Sequence, residues 1–183
     1  GDVYEGEYVE NVREGHGKLS FATGDVYEGE FVADKYHGRG KMTYAAGGSY
    51  EGEFVAGKQH GKGKETYADG NSYEGEWAEG KCHGKGKETH ADGSSYEGEY
   101  AEGKKHGKGT YTFASGEADV VRFEADAPVG QGVKWSADRT EAWELQAGKK
   151  VRGIPLDEAA KIAERIGLPP PPSRIVSAVS FVS

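Results

Sequence analysis

Apolar and polar positions alternate over short stretches of the chain, and the alternation restarts at a constant interval. In Tyr73-Glu74-Gly75-Glu76-Trp77 the rings share one parity and the carboxylates the other. A period of two puts successive side chains on opposite faces of a strand. Glu79-Gly80-Lys81-Cys82 then reads as a turn, with Gly80 supplying a backbone conformation that other residues resist. The chain returns with Gly84, Gly86, Glu88 and His90 on one face and Lys85, Lys87 and Thr89 on the other. Ala91-Asp92-Gly93-Ser94 is a second turn, because Asp-Gly is a strong hairpin signal. Each unit is therefore a β-hairpin. Helix is opposed by the glycines and by the lack of a 3.6-residue period.

The unit recurs. Its leading tyrosines are Tyr4, Tyr27, Tyr50, Tyr73 and Tyr96, a step of 23 residues with no insertion or deletion. So fixed a period marks one supersecondary unit copied and stacked. The expected fold is all-β: an elongated antiparallel meander of hairpins with a C-terminal appendage. Residues 1–116 hold one leucine, Leu19, and no isoleucine, so aromatic rings must supply the buried area. Gly75, Gly84 and Gly86 fall on the parity of Tyr73 and Trp77, which predicts a ladder of rings lying across bare backbone. The other parity carries glutamate columns (Glu28, Glu51, Glu74, Glu97 and Glu30, Glu53, Glu76, Glu99). Beside them run basic columns (Arg39, Lys62, Lys85, Lys108 and Lys41, Lys64, Lys87). Cross-strand pairs of opposite charge would fix register and solubility.

These residues spell Y-x-G-x-W-x-x-G-x-x-H-G-x-G, and the chain closely resembles MORN (membrane occupation and recognition nexus) repeats over roughly residues 1–132. The motif positions in the central copies are Gly52, His60, Gly61, Gly63, Gly75, His83, Gly84, Gly86, Gly98, His106, Gly107 and Gly109. The resemblance implies a single-layer, twisted, groove-like sheet and a scaffolding role without catalysis. It also implies company: such arrays occur in ciliary radial-spoke and cytoskeletal assemblies, and beside lipid-kinase and methyltransferase domains. The outer copies depart from the motif. Glu14 stands at the first histidine position, and Asn11 and Asp34 replace turn glycines. In a sixth copy Asp119, Val121 and Arg122 replace Tyr, Gly and Glu, and a worn seventh is expected around Trp143 to Gly148. Terminal repeats that cap a stack are usually atypical.

From Val151 the composition changes, giving a division into an array, 1–150, and an appendage, 151–183. Pro155 to Ile166 reads as a short α-helix with Ala159, Ile162, Ala163 and Ile166 as its apolar stripe and Gly167 and Pro169 as stops. Pro169 to Pro172 is a stiff spacer. Ser173 to Ser183 is apolar and β-prone, and is expected to pair with a sheet edge or to lie in the groove of its own or another copy. The chain opens in mid-pattern, so it is expected to be a fragment.

The His37, His60, His83, His106 column invites a metal reading, but equivalent residues of successive hairpins are about 10 Å apart. Zinc needs nitrogens at about 2.0–2.1 Å, so no metal and no cofactor are expected. Glycine pairs such as Gly84 and Gly86 lack the following helix that would make a phosphate loop. The repeated glutamates read as a charge ladder, and Cys82 reads as a turn residue; no catalytic residue is expected. Net charge is −8, which argues against a nucleic-acid partner. The lone cysteine fits a reducing, cytoplasmic setting, with cytoskeleton, cilium or membrane as associations. One asymmetry suggests a site. Where outer copies carry Leu19 and Phe21 or Tyr111 and Phe113, the central two carry Glu65 and Tyr67, and Glu88 and His90. This polar break, flanked by Tyr50, Tyr73, Trp77 and Tyr96, is the expected groove for a peptide or helix of a partner protein, or for the chain's own tail. The competing readings are a phosphoinositide-binding module and the targeting module of a truncated enzyme. Sheet ends and tail offer routes to a homo-oligomer.

Overall fold

A computed structural model describes residues 1–171. It is one antiparallel sheet of fourteen strands whose spatial order is their order in the chain. The strands pair as hairpins: β1 Val3–Val9 with β2 Val12–Ser20, β3 Val26–Val32 with β4 Lys35–Thr43, β5 Gly48–Val55 with β6 Lys58–Tyr67, β7 Ser72–Ala78 with β8 Lys81–Thr89, and β9 Ser95–Ala101 with β10 Lys104–Thr112. The degenerate copies follow as β11 Ala118–Glu124 with β12 Ala127–Trp135 and β13 Ala142–Gln146 with β14 Lys149–Ile154. At about 4.8 Å per strand the sheet runs for roughly 60 Å.

Within each hairpin the turn is fixed by two residues of positive φ, such as Glu79 at 51° and Gly80 at 80°. This is the type I′ turn, whose twist matches the flanking strands. Where glycine is missing, Asn11 and Asp34 take the same conformation, which short polar side chains tolerate. Asp34 adds a bond that glycine could not, accepting the Arg13 backbone N–H at 3.0 Å. Successive hairpins are stitched at these turns: Gly57 N–H donates to the Tyr36 carbonyl, Gly80 to Gln59 and Gly103 to Cys82. Lys58–Glu79 and Lys81–Glu102 ion pairs lie beside them at 2.7 and 2.8 Å.

The core is a row of rings on one side of the sheet, here called the tyrosine face. Tyr27, Tyr50, Tyr73 and Tyr96 are fully buried, and each meets rings of its own and the next hairpin edge-to-face, as Tyr73 meets Trp77 and Tyr100 at 5.1 and 5.0 Å. The other side, the lysine face, carries the charge columns. It turns apolar only at the C-terminal end, at Val120, Val133 and Trp135. There α1, Leu156–Ile166, packs against β11, β12 and β13 through Ala159, Ile162, Ala163 and Ile166. The helix begins one residue after the expected Pro155, which serves as N-cap without a side-chain bond. It ends at Gly167, φ 82°, whose N–H donates to Ala163 and Glu164 carbonyls.

A boundary at 150 falls inside β14, so the sheet continues to Ile154 and the helix belongs to its last layer. The apolar segment Ser173 to Ser183 lies outside the described residues.

Candidate partner-binding groove

The site is built from one irregularity repeated in every regular hairpin. Gly75 pairs with Gly86, but the next pair is Glu76 with His83, so Gly84 and Lys85 bulge out of the ladder. The bulge frees a carbonyl and an N–H, and the motif supplies partners for both. The Tyr73 hydroxyl donates to the Glu76 carbonyl at 2.9 Å, and the Lys85 N–H donates to the Glu76 carboxylate at 3.2 Å. Tyr50 with Glu53, and Tyr96 with Glu99, repeat the first bond at 3.0 and 3.1 Å. Lys62 and Lys108 N–H groups repeat the second, both at 3.1 Å. Unpartnered buried polar groups are costly, so the bulge persists because its own motif satisfies it.

Two expectations change here. Gly84, placed with the tyrosines by simple alternation, has φ 56°, and a Cβ there would lie 2.5 Å from the Glu76 carboxylate. Gly61 and Gly107 likewise face Glu53 and Glu99, so this glycine set belongs to the lysine face. The column Glu53, Glu76, Glu99 is therefore a structural cap and not only a charge ladder. By contrast Gly52, Gly63, Gly75, Gly86, Gly98 and Gly109 lie beneath the rings, and a Cβ on Gly86 would stand 2.5 Å from the Tyr73 ring.

Cys82 is not in the turn. It is the second residue of β8, opposite Trp77 among the core rings, and burial pushes its thiol up to about 12. A thiol held protonated is a poor nucleophile. The position it occupies is a column of its own: Arg13 lies over the Tyr4 and Phe31 rings, Tyr36 stacks on Tyr27 at 3.9 Å, and Lys105 lies over Tyr96 at 5.0 Å.

The residues expected to flank a groove on the tyrosine face divide in two. Tyr50, Tyr73, Trp77 and Tyr96 are buried and form its floor. Glu65, Tyr67, Glu88 and His90 stand above them: Tyr67 donates to Glu65 at 3.0 Å, and Glu88 pairs with Lys105 at 3.0 Å. Burial raises the Glu65 pKa above the ordinary carboxylate value, against the Tyr67 bond that lowers it. His60, His83 and His106 fall in the bulges, paired across the ladder with Glu53, Glu76 and Glu99. Among the described residues no group of His, Cys, Asp or Glu is placed to hold a metal ion.

The open concavity lies on the opposite side. A groove of about 950 Å³ crosses β3 to β8 on the lysine face, floored by Gly40, Gly52, Gly63 and Gly75 and walled by Arg39, Lys62, Lys85 and their neighbours. A second hollow of about 860 Å³ continues it over β7 to β10, closed on one side by Pro169, Pro170 and Pro171. The sequence points to the other face because of the polar break at Glu65, Tyr67, Glu88 and His90 in its apolar stripe. The rings beneath that break, Tyr50, Tyr73, Trp77 and Tyr96, belong to the core that holds the sheet together.

A stack of similar hairpins with an open charged groove is a repeat protein in architecture. The MORN repeat family model matches five consecutive stretches, 4–26, 27–49, 50–72, 73–95 and 96–118, and the chain belongs to this family. No match was found among curated protein sequences. Among solved structures, the chain is similar to the TCP domain of Drosophila melanogaster SAS-4 (dCPAP) in complex with a proline-rich motif of Ana2 (dSTIL). That likeness has 13% identity and a TM-score of 0.48, over 76% of this chain and 83% of that one. It is also similar to the Danio rerio CPAP TCP10 domain in complex with a STIL peptide, at 13% identity and a TM-score of 0.26, over 84% and 99%. Likenesses so distant assign this chain no ligand.

Proposed function

We propose that the protein is a non-enzymatic scaffold that holds a segment of a partner protein along its lysine face. One observation carries the reading: the chain already lays a segment of itself on that face. Helix α1 covers it at β11 to β13, and Pro169 to Pro171 border the hollow that continues the groove. The rest of the groove is open, and its floor is glycine backbone that a second chain can approach closely. The rings on the other face are spent on the core, so a partner there would meet only the polar fringe of Glu65, Tyr67, Glu88 and His90. Among the described residues no helix is long and apolar enough to cross a membrane. Cytoskeletal or ciliary assemblies are the settings in which such a scaffold would serve.

A random-peptide display selection against the whole chain tests this. Selected peptides are expected to lose binding to the R39E/K62E/K85E chain and to keep it with E65L/E88L. No enrichment, or enrichment lost only in E65L/E88L, contradicts the lysine face. Binding of phosphoinositide vesicles in place of any peptide would favour a lipid surface and overturn the scaffold.

A further inference from the structure

Down the middle of the groove runs a spine of cations without ion-pair partners among the described residues: Arg39, Lys62 and Lys85. Their cross-strand neighbours are Glu53, Glu76 and Glu99. Those carboxylates are turned away to cap the bulges, where they accept the backbone N–H groups of Lys62, Lys85 and Lys108. The flanking lysines are different, since Lys41 and Lys64 pair with Glu51 and Glu74 at 3.9 and 3.7 Å. A chain of net charge −8 thus presents in this groove a row of cations outside ion-pair distance of the lining glutamates Glu28, Glu51, Glu74 and Glu76.

The fourth member of the row is already covered by the chain itself. A Cβ on Gly167, the residue that ends α1, would lie 2.8 Å from the Lys108 ammonium. The ammonium therefore sits at the helix C-terminus, where the carbonyls concentrate partial negative charge. Pro169 to Pro171 follow along the hollow, and Pro171 is buried. So at Lys108 the face accepts negative charge followed by a proline run.

Spacing then selects the conformation of an incoming chain. Equivalent residues of successive hairpins are two strands apart, about 9.4–9.8 Å. A polyproline II helix has three residues per turn and a 3.1 Å rise, so every third residue returns to the same side after about 9.3 Å. In an extended strand residues three apart point to opposite sides. In an α-helix a seven-residue step spans about 10.5 Å and leads the row by roughly 2 Å after two steps. The sheet's twist of about 20–25° per strand is left to the long Glu, Lys and Arg arms.

We propose that the groove binds a proline-rich acidic segment of a partner in the polyproline II conformation, with an acidic residue at every third position. One carboxylate then pairs with each of Arg39, Lys62 and Lys85. This rests on the lysine face being the docking surface.

The test uses the whole chain and three labelled twelve-residue peptides, read by fluorescence anisotropy at about 0.15 M salt. One has four Glu-Pro-Pro triplets. The second has the same composition with its glutamates in adjacent pairs, and the third has glutamine for glutamate. The first is expected to bind at least about tenfold more tightly than either other, the increment three exposed ion pairs supply together. The R39Q/K62Q/K85Q chain should lose that margin, and R39K, which keeps the charge, should retain it. A melting curve matching the unsubstituted chain keeps the triple variant interpretable. Equal binding of the paired-glutamate peptide, or a margin that survives in the triple variant, overturns the proposal. Phosphatidylserine vesicles binding through the same cations when the peptide does not would overturn it in favour of a membrane surface. If the triplet peptide fails while display-selected peptides still map to the lysine face, only the acidic proline assignment falls. If both fail, the docking surface falls with it.

Discussion

At the scale of the residue, the motif is a device for making a bulge safe. The tyrosine ring lies on two facing glycines, its hydroxyl takes the freed carbonyl, and the second glutamate takes the freed N–H. The bed of rings on glycine was legible, because parity alone puts Tyr73, Gly75 and Gly86 together. The bulge was not, since a period of two residues runs straight through Gly84 without registering its positive φ. Gly86→Ala should push a methyl into the Tyr73 ring and cost about 1–3 kcal/mol, read from the urea midpoint. Glu65 gives a pH signature. Its folded pKa is raised by burial, so the folded chain holds this proton more tightly than the unfolded chain. Its favourable contribution is present below the unfolded pKa of about 4.3 and is lost as pH rises through the folded value. Glu65→Gln should therefore raise stability relative to the parent at pH 7, and the difference should shrink toward pH 4 in paired urea titrations.

At the scale of the element, each of the seven hairpins in the described residues pairs with the next, and the helix lies back over β11 to β13. The hairpins and the helix could be read directly from period and stop signals. The helix's docking face was also written in the chain. The glutamate column Glu28, Glu51, Glu74, Glu97 continues to Val120, and the positions of Thr110 and Thr112 continue to Val133 and Trp135. Polar columns that become apolar together announce a covered patch, and α1 covers it. Ile162 belongs to that contact and is fully buried. Ile162→Ala should cost about 2–5 kcal/mol there. Because stability in a stacked array is local, hydrogen exchange should quicken in β11 to β14 while β3 to β8 keep their protection. Uniform loss of protection along the sheet would contradict nearest-neighbour stacking.

At the scale of the molecule, the two faces divide the work. Rings supply cohesion on one side, and charge columns over glycine leave the other open to a second chain. Both sets of columns were legible in the chain, but not which face would stay open; that follows from Tyr27, Tyr50, Tyr73 and Tyr96 packing edge-to-face against Phe54, Trp77, Tyr100 and Phe123 of the next hairpin. The most direct measurement is a backbone NMR titration of the whole chain with a display-selected peptide. The amides of Arg39, Lys62 and Lys85 should shift together and saturably, while those of Glu65, Tyr67, Glu88 and His90 stay in place. Shifts centred on Glu65 and Glu88, with the lysine row unmoved, would contradict the account.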